Sequence, residues 1–197
     1  MNKKPFEIPC VILCGGKSSR MGEDKALLPF SNSNSLAQFQ YERLKPYFKN
    51  VYISSKTDKF NFNSNLILDK GLEFSPIVAL ETIFKNLKDE SKIFIITVDT
   101  PLVKMDTIKK LIESSIDFDI TVAQTSKTHN LCGVFNNSCL CEVKQMLESG
   151  IHKVGFLLRN MNTNYIDFPN EDEFINLNDK VEYFKAKSLI SWTNNYN

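Results

Sequence analysis

The segment Gly15-Gly16-Lys17-Ser18-Ser19-Arg20-Met21-Gly22-Glu23-Asp24-Lys25 follows directly on a short apolar run. Two adjacent glycines at the end of a strand let the backbone turn sharply and approach a ligand closely. Their N–H groups can converge on phosphate oxygens as a nest. Arg20 and Lys25 add two permanent charges beside it, one a planar fork that fits a phosphate and the other a point charge. Two better-known phosphate patterns do not fit. Gly16-Lys17-Ser18 imitates the end of a Walker A motif, whose first glycine would have to stand at Val11. Gly15, Gly16 and Gly22 do not make G-x-G-x-x-G, so a nicotinamide cofactor is not supported. A bare Gly-Gly pair is mostly a turn. With Arg20 and Lys25 beside the pair, a turn with solvated charges and a phosphate cradle both fit these residues.

A second group with chemistry in it is Val98-Asp99-Thr100-Pro101, which closes the continuous β-branched and aromatic run 93–98. In open α/β sheets ligands bind outside the carboxyl ends of the strands. A carboxylate there can hold Mg²⁺ against phosphate oxygens. Asp-x-Pro is also a frequent turn, so the metal assignment leans on the Gly-rich segment ending on the same sheet edge. Asp69 closes the run 66–68 and fits an Asx-turn as well as a ligand contact. His129, one of two histidines, reads as a surface-loop histidine and not as a catalytic base. The five cysteines are odd in number and show no C-x-x-C pair. They read as reduced core thiols, with neither a disulfide framework nor a zinc site.

These residues need strands and helices to hold them. Residues 11–14 and 93–98 are apolar runs of the kind buried on both faces of a parallel sheet. Residues 51–54, 66–68, 120–123, 134–135, 165–168 and 174–175 read as further strands. Ser35 and Ser75-Pro76 are helix starts, a cap and a cap followed by proline. Leu36, Phe39 and Leu44 recur at helical spacing before Pro46. Ile77, Leu80, Ile83, Phe84 and Leu87 make an apolar stripe. Helices are also expected around 108–112, 140–147, 154–158 and 181–189. The residues 85–92 read as a solvated face. Strands alternating with helices predict a mostly parallel sheet covered on both faces, with no internal repeat and no linker.

The 197 residues suit one domain, 1–197. A formal net charge of +1 supplies no field to hold nucleic acid or an anionic membrane. Residues 1–9 carry no apolar signal-peptide core, and 93–98 is too short to span a bilayer. A cytoplasmic location is the expectation.

The pattern L-x-G-G-x-S-x-R-M-G-x-D-K, from Leu13 to Lys25, resembles the signature of the molybdenum cofactor guanylyltransferases. These are small Rossmann-like nucleotidyltransferases. Other positions extend the likeness from about Pro9 to about Tyr183. Leu68-Asp69 is similar to a base- or ribose-proximal aspartate. Ser75-Pro76 stands where the family has a Gly-Pro helix start, and Asp99-Thr100-Pro101 resembles its D-x-P metal turn. Asn176-Leu177-Asn178 is similar to its late N-[IV]-N element on the pterin side. Departures are Cys14 for alanine, Ser54 for asparagine, Ala79 for glycine, His152-Lys153 for arginines, and Asp179-Lys180 for Thr-Pro.

The resemblance implies a three-layer αβα nucleotidyltransferase fold with one reversed strand. It implies transfer of GMP from GTP to molybdopterin or the molybdenum cofactor, with release of pyrophosphate. GTP would be bound by Leu13, Cys14, Gly15, Gly16, Lys25, Ser54, Asp69 and Asp99. Arg20, Lys25 and Asp99 would act in catalysis, Asp99 holding Mg²⁺. Lys153, Asn176 and Asn178 would face the pterin. Partner proteins would be those of molybdenum insertion and molybdoenzyme maturation. The rivals are a cytidylyltransferase on the same pterin, a sugar-phosphate nucleotidyltransferase, and a non-catalytic nucleotide-binding chaperone for the cofactor. The short step from Arg20 to Lys25 disfavours the sugar-nucleotide enzymes, and an intact Asp99 disfavours the chaperone.

Overall fold

The computed structural model describes residues 5–15, 24–69, 71 and 73–194, with side chains described to residue 190. Among them a seven-stranded sheet runs through the molecule. Its strands are β1 (Cys10–Leu13), β2 (Val51–Ser55), β3 (Asn65–Leu68), β4 (Lys92–Thr97), β5 (Ile120–Gln124), β6 (Thr128–Asn136) and β7 (Thr163–Asp167). The spatial order is β3-β2-β1-β4-β6-β5-β7. Neighbours are parallel except at β6, which runs antiparallel to both β4 and β5. That is the one reversed strand. The chain leaves β1 toward β2 on one side and returns through β4 on the other. A cleft therefore opens outside the carboxyl ends of β1 and β4.

The central strands are apolar throughout because each side chain meets a helix layer, whichever face it takes. Cys10, Ile12, Phe94 and Ile96 pack with Leu36, Leu44, Ile108, Leu111 and Ala186. These last come from α1 (Leu36–Leu44), α3 (Met105–Glu113) and α6 (Lys180–Asn194). The alternate residues Val11, Leu13, Ile93 and Ile95 pack with Ile77, Leu80, Val143 and Leu157. Those come from α2 (Pro76–Asn86), α4 (Leu140–Glu148) and α5 (Val154–Asn160). The result is the three-layer αβα sandwich expected from alternating strands and helices. Both predicted caps form. Ser35 Oγ accepts from the Gln38 N–H at 3.1 Å, and Ser75 Oγ accepts from the Ile77 N–H at 3.2 Å. None of the helices among the described residues is long and apolar enough to cross a membrane.

Several sequence-based expectations are corrected. Residues 174–175 are not a strand: Glu171–Phe174 is a single 3-10 turn. The Phe174 ring is buried and stacks on His129 at 4.3 Å between centroids, so its hydrophobicity serves anchoring and not pairing. The expected short strand at 134–135 belongs to the nine-residue β6. Its polar first half hid it. His129 lies on that strand, 9% exposed, and not on a surface loop. Of the cysteines, Cys10, Cys14, Cys132 and Cys139 are core residues, but Cys141 is exposed on α4.

β6 is also irregular. Val122 pairs with Gly133, yet the next residue of β5, Ala123, pairs with His129. Residues 130–132 therefore have no counterpart and bulge from the ladder. Gly133 permits the close approach of the two strands beside the bulge. A Cβ there would lie 2.0 Å from the Thr121 carbonyl oxygen, so no larger residue fits without moving backbone.

Candidate functional site

Past β1 the chain stays clamped between its neighbours. The Cys14 N–H donates to the Ser54 carbonyl at 2.8 Å, and the Val98 N–H donates to the Leu13 carbonyl at 3.0 Å. Gly15 then opens into the cleft. Asp24 Oδ1 accepts from the Ala26 N–H at 3.1 Å and starts the 3-10 turn Lys25–Leu27. Lys59 joins the two ends of the Gly-rich segment. Its Nζ donates to the Cys14 carbonyl at 3.3 Å and pairs with the Asp24 carboxylate.

Lys25 points to the seam of the molecule. Its Nζ lies 3.7 Å from the Asp99 carboxylate and donates to Asn178 Oδ1 at 3.2 Å. The turn carrying Asp99 is fixed from both sides. The Leu177 N–H donates to the Asp99 carbonyl at 2.9 Å, which brings the Asn176-Leu177-Asn178 segment into the cleft. From α1, the fully buried Gln40 donates to the carbonyls of Thr100 at 3.2 Å and Thr97 at 3.4 Å. Arg43 donates from Nη1 to the Val103 carbonyl and from Nε to Gln40 Oε1, both at 2.7 Å. Burial lowers the Arg43 pKa to about 10, so it keeps its charge at neutral pH.

Two hollows meet at this seam. The first, of about 140 Å³, is lined by Leu13, Gly15, Ser54, Asp69, Phe74 and Ala79, among others. The second, of about 280 Å³, is lined by Asp99, Thr100, Lys127, His129, the bulged residues Asn130, Leu131 and Cys132, and Asn176. Thr97 and Leu131 belong to both. The β6 bulge is thus what builds the wall between them.

Most of the residues singled out in the sequence converge here. Leu13, Gly15, Ser54 and Asp69 line the first hollow; Asp99 and Asn176 line the second, with Asn178 on its Lys25 side. Cys14 contributes its backbone, while its side chain turns into the opposite core. Lys153 is exposed ahead of α5 and lines neither hollow. Its neighbour His152 lines neither hollow either, but backs the first through Ser75, with Nδ1 2.9 Å from Ser75 Oγ and Nε2 2.9 Å from Glu73. Gly16 and Arg20 lie outside the described residues.

Sequence reasoning missed Gln40, Arg43, Lys56 and Lys59. Only the last two left a signal, as lysines following the carboxyl end of a strand beside the first hollow. Asp69 is 4% exposed and fully engaged: Lys56 Nζ at 2.7 Å, the Gly71 N–H at 3.1 Å and Thr82 Oγ1 at 3.3 Å. Burial pushes the Cys132 and Cys139 thiols up to about 12, so neither is a nucleophile at neutral pH. Burial, with Lys127 nearby, pulls His129 down to about 4, leaving its imidazole neutral.

Among the described residues no group of three or more His, Cys, Asp or Glu could cage a metal ion. A lone carboxylate suits Mg²⁺, which usually takes one or two carboxylates and fills its other positions with phosphate oxygens and water. Asp99, 24% exposed on the wall of the second hollow, offers that donor.

Residues 10–163 match the model of the MobA-like NTP transferase domain. The molybdenum cofactor guanylyltransferase of Campylobacter jejuni subsp. doylei is 44% identical over 189 residues, 93% of this chain and 97% of that protein. The enzyme of the same name from Helicobacter pylori strain G27 is 35% identical and covers 93% of each chain. A crystal structure of an Aquifex aeolicus protein superposes with a TM-score of 0.72 at 32% identity, covering 86% of this chain and 92% of that one. The molybdopterin-guanine dinucleotide biosynthesis protein A of Archaeoglobus fulgidus gives 0.79 over 93% and 99%, and at 16% identity speaks for the fold alone. On the match of its model over residues 10–163 and of curated relatives over 93% of the chain, this protein belongs to the MobA-like NTP transferase family.

Proposed function

We propose that this chain transfers GMP from GTP to molybdopterin or the molybdenum cofactor and releases pyrophosphate. Its relatives at 43–44% identity carry the name of that activity. The observation that carries it is the meeting of two hollows at Thr97 and Leu131, with Asp99, on the wall of the second, paired to Lys25. A donor nucleotide in the first and an acceptor phosphate in the second would face each other across Thr97 and Leu131.

The acceptor's terminal phosphate supplies the attacking oxygen. A new P–O bond forms at the α-phosphorus of GTP, and the bond to the bridging oxygen of the β-phosphate breaks, so pyrophosphate leaves with that electron pair. The nucleophile is already an anion at neutral pH and needs no base. The neutral His129 fits that economy. Catalysis is then positioning and charge neutralisation. Gly15, with Gly16, cradles phosphate; Lys25, with Arg20, neutralises it; Asn176 and Asn178 border the acceptor. Mg²⁺, held by Asp99, would supply a Lewis acid at the reacting phosphates. The neighbouring groups on Asp99 and Lys25 are fixed by Gln40, Leu177 and Asn178, so little reorganisation is needed when substrate arrives.

We place the chain in the cytoplasm with GTP and the cofactor as substrates, and with molybdenum-insertion and molybdoenzyme-maturation proteins as partners. The test is to offer each of the four NTPs with molybdopterin and Mg²⁺ and to follow pyrophosphate. GTP should be used at least tenfold better than CTP or ATP, since one unpaired buried polar group costs about 1–3 kcal/mol. CTP turned over as fast as GTP would make the chain a cytidylyltransferase. Nucleotide binding without pyrophosphate release would make it a chaperone.

A further inference from the structure

Guanine differs from adenine and cytosine at one group above all. It presents an acceptor, O6, where adenine and cytosine present an amino donor. A guanine-selective pocket therefore gains from a fixed donor at that place. The first hollow holds one cation that no motif foresaw. Lys56 directly follows β2, and the pairing of Ser55 with Leu68 sets it beside Asp69 at the end of β3.

The ammonium of Lys56 is held with little freedom. Nζ lies 2.7 Å from Asp69 Oδ2 and donates to the Gly71 carbonyl at 2.6 Å. An ammonium has three N–H donors. These acceptors use two, and the third is left for a ligand. The Lys56 side chain lines the hollow and is 18% exposed, against 5% for the Asp69 carboxylate. Gly71 makes the arrangement possible by closeness, since a Cβ on it would lie 2.2 Å from Val78 Cγ1. Phe74, which lines the same hollow and is 56% exposed, has its ring centroid 5.6 Å from Nζ, a second contact that holds the ammonium.

Asp69 is poorly placed to read a base by itself. Three hydrogen-bond donors already point at its oxygens. A carboxylate has about four acceptor positions, so this one, lining the hollow at 5% exposure, keeps little acceptor capacity for a base.

We propose that Lys56 is the base-reading residue of this chain, donating to the purine O6, and that Asp69 is a positioning residue that orients its ammonium. This rests on the first hollow taking a guanine nucleotide, as proposed above. Adenine in the same pose would bring its amino group against the ammonium, two donors with no acceptor between them. Cytosine would do the same through N4. Lysine contacts to guanine O6 and N7 are a common means of selecting that base.

The test uses the full chain, Mg²⁺ and two nucleotides, with binding measured by calorimetry. 6-thio-GTP keeps N1–H and N2–H₂ and replaces O6 by sulfur, a weaker acceptor. Wild-type protein should bind GTP about tenfold more tightly than 6-thio-GTP, the scale of one hydrogen bond to a charged group. In Lys56→Met the ratio should fall close to one, through weaker GTP binding. That variant leaves the Asp69 carboxylate buried without its cation and can lose stability. The double variant Lys56→Met/Asp69→Asn removes both charges and should show the same ratio near one. Asp69→Asn alone should reduce the ratio only in part. A ratio unchanged from wild type in the folded double variant, with GTP still preferred over CTP, overturns the role of Lys56 alone. Wild-type protein that binds CTP more tightly than GTP overturns both this role and the activity it rests on.

Discussion

On the β1–β2–β3 side of the cleft, parallel strands end together and two lysines past β2 fasten the neighbouring strand ends. Lys56 is tied to Asp69, and Lys59 to Asp24 and the Cys14 carbonyl. On the β6–β5–β7 side the wall is an antiparallel strand thrown out of register, a 3-10 turn and a neutral histidine stacked on a phenylalanine. One side is set by charge pairs at strand ends, the other by an irregular ladder and packing. The difference matches the tasks proposed for them. A nucleotide triphosphate presents fixed charges at fixed distances, which paired side chains and a backbone nest can meet. An acceptor of other shape needs a wall that one family can remodel without touching the nucleotide side, and a bulge does that.

Asp99 lines the second hollow and is paired to Lys25 of the Gly-rich segment, so its loss should be the largest single effect. Asp99→Ala should lower kcat by about 10²–10³, the scale of one strong electrostatic or metal-holding group. The Asp99 side chain is partly exposed, and the turn is held by its backbone carbonyl and by Gln40. Folding should therefore survive, with near-wild-type melting and GTP retained in binding assays. Near-normal turnover with Mg²⁺ would remove the metal assignment and leave the two sides joined by packing alone. Lys25→Ala should come next, at about ten- to hundredfold in kcat/KM, since hydrogen bonds to charged groups are worth about 1.5–3 kcal/mol. Lys25 touches Asp99 and Asn178, so the loss should show for GTP and for acceptor alike. A loss confined to one substrate would assign Lys25 to that side. Arg20→Ala should act on the nucleotide side only.

Gln40 tests whether the seam is positioned from behind. Gln40→Leu removes the donor to the Thr97 and Thr100 carbonyls and the acceptor for Arg43 Nε. Stranded buried groups cost about 1–3 kcal/mol. That amounts to about 2–4 °C in melting temperature per kcal/mol for a chain of this size. Turnover should drop about tenfold while GTP affinity holds, because Gln40 touches no substrate and acts through the Asp99 turn. Unchanged turnover per folded molecule would show that turn to be held by Leu177 alone.

Legibility in the sequence divides along the same line. Residues 11–14 and 93–98 announced central strands because burial on both faces leaves only apolar residues there. The Gly-rich segment and Asp99 stood out because phosphate and metal chemistry demand particular residues at particular spacing, and Lys25 and Asp99 do meet at the cleft. The far side was not. The polar start of β6 has no alternation to display, since it faces a hollow and a bulge breaks its period. The pair 174–175 looked like a strand because two apolar residues carry no period at all. Gln40 and Arg43 looked like the polar face of α1, and nothing local says that they hold a loop some sixty residues away. Asn176 and Asn178 were found only by likeness, and the hydrogen bond from Leu177 to Asp99 supplies the physical reason for their place.

His129 gives the smallest expected effect and isolates the far wall. It is buried against Phe174, with its ring nitrogen Nε2 3.0 Å from Thr125 Oγ1. Burial first, and Lys127 second, lower its pKa to about 4. In the unfolded chain an imidazole titrates near 6.5. Above that value neither state binds the proton, and His129 contributes nothing to pH dependence. As pH falls through 6.5 the unfolded state gains a proton that the native state refuses, so stability is lost until about pH 4, where the native state also accepts it. At about pH 6 the loss should be about 1 kcal/mol relative to pH 8. His129→Phe keeps the aromatic stack and deletes the titration. The difference between wild type and this variant in chemical denaturation should shrink or widen with pH by that amount, with the variant gaining in acid. Equal pH profiles for the two would mean that His129 takes a proton as easily in the native state as in the unfolded chain. The far wall would then carry a positive charge in mild acid, and the contrast with the lysine-fastened nucleotide side would narrow.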